Sequence, residues 1–333
     1  MMKSFAVKFI LSSAALTFVI FSAGGMSAPV FAKTQFISIG TGGTGGVYYP
    51  YGGGVAEIWT KYVKGVRAVA EVTGASVENT KLCHRGETLF GEIMNDVAYQ
   101  AYNGIGKFEG KKQNIRGMFE MYPHHYHVVA LKKTPVNTIY DLRGKKVSVG
   151  APGSGTEYKT NLVLQEALGI KYSEFDAFRL SFTETANALK DGTVEVGIWD
   201  VAAPTSSVMD LSTTHDIKII SFSPEDIQKI VSKFPFYSEF ILAADMYRGQ
   251  DYEVRNPSVW NTFICNADVD SELVYNLTKA VFEHQDYMIK IHPFAKYTTP
   301  ENAVKHAVIP LHPGAIKYLK DKGVSIPSRL IAE

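Results

Sequence analysis

The sequence predicts an α/β protein of two lobes with a ligand cleft between them, and three observations carry that expectation. Short apolar runs alternate with segments whose apolar residues recur at the helical period. The alternation occurs twice, from residue 36 and again from residue 144. In each copy the first strand ends in a glycine-rich loop that opens a helix, at residues 40–46 and 150–155. Alternating strands and helices imply parallel βαβ units. Ligands of open α/β sheets bind outside the carboxyl ends of the strands, so two facing loops would share one crevice.

In the first copy, residues 36–39 read as a strand, followed by the glycine loop and a helix with Val55, Ile58, Trp59, Tyr62 and Val63 on one face. Residues 66–72 form the next strand, and Thr73-Gly74-Ala75-Ser76 a turn. A helix then ends near Arg85-Gly86, residues 88–93 make a third strand, and Asn95-Asp96 can cap another helix. The second copy has a strand at 147–149, a helix to Leu168 stopped by Gly169, and a strand at 178–180. Thr183 is placed to cap a helix ending at Asp191-Gly192, before a strand at 194–199. Residues 256–267 look extended, and one long helix carries Val274, Leu277, Val281 and Met288. A last helix spans about 314–322 and stops at Gly323. This block is no third copy and is expected to return to the first lobe, so the chain crosses between lobes twice. The resulting division is 1–32 leader, 33–134 first lobe, 135–255 second lobe and 256–333 return.

The leader comes from the N-terminus. Lys3 and Lys8 precede an apolar stretch over residues 9–23, and Val30-Phe31-Ala32 offers a cleavage site before Lys33. The stretch is short for a membrane span, which takes about 20 residues. The expected location is therefore the periplasm. A formal charge of +1 over 333 residues gives no field suited to nucleic acid. Cys83 and Cys265 permit one disulfide or two buried thiols, and lack C-x-x-C spacing.

Five glycines within residues 40–46 expose backbone amides just before a helix start, a combination that favours an anion. Pyrophosphate, phosphate and carboxylate all remain open on that ground. Gly40, Gly42 and Gly45 match the G-x-G-x-x-G spacing, with Glu71 as a tolerable ribose partner. An exported chain would meet no free nicotinamide cofactor, however, so no cofactor is expected. No lysine followed by Ser or Thr closes the loop as a phosphate-binding loop requires. Catalytic patterns are sparse: there is no G-x-S-x-G and no H-E-x-x-H, and Ser154 has no base near it in sequence. His124, His125 and His127 form the one histidine cluster, but nothing nearby completes a ligand set, and no metal is expected. Tyr48, Tyr49, Tyr99, Tyr102, Tyr122, Trp199 and Tyr237 fall beside strand ends or loops and suit either a cleft or a core. For Trp59 and Trp260 packing is expected.

Six ordered stretches give the chain a likeness to a known family. They are Phe36 through Pro50, Glu71-Val72-Thr73-Gly74-Ala75-Ser76-Val77, Ala101-Tyr102-Asn103-Gly104, Gly150 through Thr156, Met246-Tyr247-Arg248-Gly249 and Pro310-Leu311-His312-Pro313-Gly314-Ala315. The sequence resembles the TAXI family, the extracytoplasmic solute-binding proteins of TRAP-type transporters. The resemblance implies a periplasmic binding protein-like fold of type II, with two α/β lobes joined by a two-strand hinge. It also implies a monomer, no enzyme, that hands a small organic acid to a TRAP membrane permease driven by an ion gradient. Family solutes are carboxylates such as glutamate and dicarboxylic acids, so a glutamate-like amino acid, a dicarboxylate or a 2-oxoacid is expected. The chain departs from the family at Met94 through Tyr99 and at Met121-Tyr122-Pro123-His124, and Trp199-Asp200 lies in a variable wall.

A carboxylate then fits the amides best. Gly42, Thr44, Gly46 and Tyr48, with Thr73, Gly74, Ala75 and Ser76, are expected to bind it from the first lobe. Ser154, Gly155 and Thr156 approach from the second. Tyr48, Tyr99 and Tyr237 enclose the carbon skeleton, Trp199 walls the pocket, and Asn95 and Asp96 meet an amino or hydroxyl group. Arg85 and, more weakly, Arg179 are candidate salt-bridge partners, although the place of Arg85 at a helix end favours packing. Two rival readings remain: a sensory module that presents its ligand to a receptor, and an exported hydrolase using Ser154 or the histidines.

Overall fold

A computed structural model describes residues 34–332. The leader and its cleavage site before Lys33 lie outside the described residues. The first βαβ unit comprises β1 (Gln35–Gly40), α1 (Tyr48–Tyr62) and β2 (Val66–Glu71), followed by α2 (Ser76–Arg85), β3 (Phe90–Met94) and α3 (Asn95–Asn103). A long strand, β4 (Ile115–Leu131), leads to β5 (Lys146–Ser148) and α4 (Gly155–Thr160), which continues as a π-helical stretch over Asn161–Ala167. Then come β6 (Asp176–Phe178), α5 (Phe182–Asp191), β7 (Val196–Val201), α6 (Ser206–Thr214), β8 (Ile217–Ile219), α7 (Pro224–Lys233) and β9 (Tyr237–Leu242). A second long strand, β10 (Val254–Asn266), precedes α8 (Ser271–Glu283), α9 (Gln285–Ile291), α10 (Pro300–Lys305) and α11 (Pro313–Asp321).

The strands form one sheet in the order β2-β1-β3-β10-β4-β7-β5-β6, with β8 added to β4 and β9 to β10. β1 is parallel to β2 and β3, and β5 is parallel to β6 and β7. These two parallel sets make two α/β lobes. β4 and β10, antiparallel to each other, connect them. The last residues of β10 pair with β3 while its first residues pair with β9, and the second half of β4 pairs with β7. Each long strand therefore belongs to both halves. Pro123 of β4, which has no N–H to give, faces Trp260, where the register shifts.

Alternate residues of β7 serve opposite sides of the sheet. Trp199 and Val201 enter one hydrophobic core, and Val196 and Ile198 enter the other. Trp59 is fully buried, with its indole N–H donating to the Leu277 carbonyl, while Trp260 stacks on His306.

Several elements differ from expectation. The strand expected at 178–180 lies at Asp176–Phe178, because Ser181 rather than Thr183 caps α5 in a reciprocal pair with Glu184. Met94, not Asn95 or Asp96, is the N-cap of α3. The long C-terminal helix breaks at His284, whose φ of −122° is not helical, into α8 and α9. Cys83 and Cys265 are both buried and free.

Candidate ligand cleft

Four helices begin around one cavity of about 360 Å³. Val47 and Tyr48 open α1, Ala75 and Ser76 open α2, Ser154 and Gly155 open α4, and Ser181 through Thr183 open α5; all of them line the cavity. The first amides of a helix have no intrahelical acceptor, and each helix start carries about half a positive elementary charge. Val47, Phe182, Met94, Val72 and Val201 supply apolar wall between them.

The glycines let the halves meet. The Gly45 carbonyl accepts hydrogen bonds from Thr205 Oγ1 at 3.0 Å and Ser207 Oγ at 2.8 Å. A Cβ at Gly45 would sit 2.5 Å from Thr183 Oγ1 and 3.1 Å from the Thr183 nitrogen. A Cβ at Gly155 would overlap Met94 Sδ and come within 2.7 Å of Ser76 Oγ. On the far side, the Gly153 carbonyl accepts from Val77 and Glu78 at the start of α2. The two halves are thus in direct contact on both flanks of the cavity.

At the cavity's inner end, β7 presents Asp200 and β4 presents His124. Lys159, fully buried, donates to Asp200 Oδ1 at 2.8 Å and to the Pro257 carbonyl at 3.0 Å, and lies over the rings of Tyr126 and Tyr237. Burial raises the Asp200 carboxyl, and the Lys159 ammonium opposes that shift. Burial, and then the charge of Lys159, hold the His124 imidazole well below its ordinary range, so it is neutral. Asp200 Oδ2 and both His124 nitrogens have no hydrogen-bond partner among the described residues. The Tyr48 hydroxyl donates to Asn261 Oδ1, and its ring lies 5.1 Å from that of His124.

Residues 39–323 match the family described as NMT1-like. The chain belongs to the NMT1-like family. Its fold is shared with a protein from Bordetella bronchiseptica RB50, at 18% identity and a TM-score of 0.52, over 86% of this chain and 88% of the other. It is likewise shared with a structure concerning glutathione import via GshT and the cystine ABC importer TcyBC of Streptococcus mutans, at 12% identity and a TM-score of 0.52, over 80% of this chain and 98% of the other. The periplasmic aliphatic sulphonate-binding protein SsuA of Escherichia coli aligns at 12% identity and a TM-score of 0.44, over 86% and 83%.

In this NMT1-like chain, Gly42, Thr44, Gly46, Tyr48, Thr73, Gly74, Ala75, Ser76, Ser154, Gly155 and Thr156 line the cavity. Some of their expected donors are already engaged. The Gly46 amide donates to the Gly43 carbonyl, the Gly74 amide to Glu78 Oε2, and the Ala75 amide to Thr73 Oγ1. Ser154 Oγ accepts from the Glu157 amide as a helix cap, and Ser76 Oγ accepts from the Met94 amide.

Five expected residues lie elsewhere. Asn95 donates to Glu120 Oε2 at 2.8 Å and to the His306 carbonyl, in the interior. Asp96 is buried, accepting from the Tyr237 hydroxyl at 2.7 Å and from the Val97 amide. Burial pushes its carboxyl up to about 7. Tyr237 is thereby taken up by Asp96, and Tyr99 is exposed at a separate groove that Tyr237 and Trp260 also line. Trp199 points into the core, donating to Ser207 Oγ and backing Phe182 from outside the cavity. Arg85 pairs with Glu87, and Arg179 with Glu157, both at the surface. His125 and His127 are buried behind His124, with His125 stacked on Phe240.

The sequence places Asp200 in a variable wall and His124 in a histidine cluster, but does not bring them together with Lys159 or with the α5 start at Ser181 to Thr183. One sequence signal was available: Asp200 ends an apolar strand of the second copy, where the fold class places ligands.

Proposed function

We propose that the protein is a periplasmic solute-binding protein that captures a small organic carboxylate and delivers it to a TRAP-type permease. One observation carries the reading: four helix starts, two from each half, surround a single cavity whose one carboxylate, Asp200, is already matched by Lys159. Such a cavity attracts an anion without a dedicated arginine. The NMT1-like family match over residues 39–323 and the likeness of residues 36–323 to the TAXI family support a carrier. The solute touches both halves only when they meet, so it favours the closed form by its differential affinity, and the permease reads that closed surface. The hydrogen bond that Ser154 Oγ makes is the one it accepts from the Glu157 amide, and no base engages its hydroxyl among the described residues, which weighs against a nucleophile.

Calorimetric titration of the chain from Lys33 onward with organic acids and their uncharged amides tests the reading. Saturable binding of acids, with amides at least about tenfold weaker and the acid recovered unchanged, is the expected result. Equal binding of amides, or turnover, contradicts it.

A further inference from the structure

The inner end of the cavity carries hydrogen-bonding capacity that no protein group uses. Asp200 Oδ2 and His124 Nδ1 lie 3.9 Å apart, and their side chains are 0% and 4% exposed. That separation is too long for a hydrogen bond between them. Both atoms, and His124 Nε2, are without partners among the described residues, although Asp200 and His124 line the cavity. Buried polar atoms in that state destabilise the fold unless something satisfies them. One oxygen can sit about 2.8 Å from both atoms at once.

The electrical balance decides what that oxygen belongs to. Among the described residues Asp200 is the only acid lining the cavity, and Lys159 already neutralises it at 2.8 Å. An ammonium group placed there would leave an excess positive charge in a buried site beside Lys159, and a second carboxylate would face Asp200 itself. A hydroxyl carries no charge. It can donate to Asp200 Oδ2 and accept from the Nδ1–H of a neutral His124, using two of the three orphaned atoms. Met94, Val201 and Phe182 supply apolar wall elsewhere in the same cavity.

Building on the carboxylate reading above, we infer that the solute is a hydroxy acid: its carboxylate meets the helix-start amides and its hydroxyl docks between Asp200 and His124. The site selects against both amino acids and plain dicarboxylates.

Calorimetry with matched sets tests this: butanoate, its three hydroxy isomers and the corresponding aminobutanoates, and phenylacetate with its ring-hydroxyl and ring-amino counterparts. At least one hydroxy acid is expected to bind more than about tenfold tighter than its parent acid. In His124→Phe, which retains a ring against Tyr48, that preference is expected to fall below about threefold. A Lys159→Met/Asp200→Leu double substitution, which removes the buried pair together with the hydroxyl's acceptor, provides a second test and is expected to lose the same preference. Parent and hydroxy acids binding equally, or amino acids binding tightest, overturns the hydroxyl assignment and leaves the carboxylate reading standing. Failure of every acid to bind overturns both.

Discussion

At the residue scale the molecule is organised around one buried ion pair. Lys159 and Asp200 are both fully buried, and Lys159 also reaches the Pro257 carbonyl at the start of β10, tying α4 to β7 and to a connecting strand. Removing one partner of such a pair strands the other charge. Lys159→Met is therefore expected to lower the unfolding free energy by about 3–5 kcal/mol in urea titrations, and the added change Asp200→Asn to recover a large part of that loss. A Lys159→Met chain as stable as the parent would contradict the assignment. These residues were hard to read in advance because they are 41 positions apart and neither belongs to a motif. Asp96 drew attention instead, being an acid at a strand end. Its side chain turns inward to Tyr237, and sequence does not show which of two strand-end acids faces the cavity. Trp199 misled for a related reason. Strand periodicity sends adjacent residues to opposite sides, and the choice of side depends on register.

At the scale of elements, the glycine-rich loops do two jobs. Their amides start helices at the cavity, and the missing side chains let the halves touch. Gly45→Val is expected to weaken acid binding by more than about tenfold in calorimetry while barely changing the melting temperature of the unliganded chain, because its clash with Thr183 arises only where the halves meet. A large loss of unliganded stability with unchanged affinity would place the glycine's role in folding. The helix-opening loops were legible because glycine runs after apolar strands are rare and mechanistically specific. Helix interruptions were less legible. The π-helical stretch after α4 and the break at His284 interrupt segments whose apolar periodicity runs straight through them.

At the scale of the whole molecule, the buried titratable groups set the pH dependence. Burial raises Glu120 to about 8 and Asp96 to about 7, so the folded chain keeps protons that the unfolded chain releases near 4. Their contribution to stability is complete below that point and is lost as pH rises through the folded values. Burial lowers His124, His125 and His127, whose contribution changes only below about 6.5, where it falls with falling pH. The melting temperature is therefore expected to fall from pH 6.5 to 8.5, and Glu120→Gln to flatten that fall. A melting temperature that rises across this interval would contradict the burial argument. The two-lobed plan was readable because the same order of elements occurs twice. The pairing of β4 with β10 was not, since contacts between strands this far apart in sequence leave no local trace.

Amide NMR of the chain from Lys33 onward, titrated with the tightest-binding acid, shows whether helix-start amides of both halves hold the carboxylate. The largest proton shifts, downfield, are expected on amides of residues 42–45, Ser76, Gly155, Phe182 and Thr183, drawn from both halves. Shifts confined to one half, or centred on the groove at Tyr99 and Trp260, would contradict that hold.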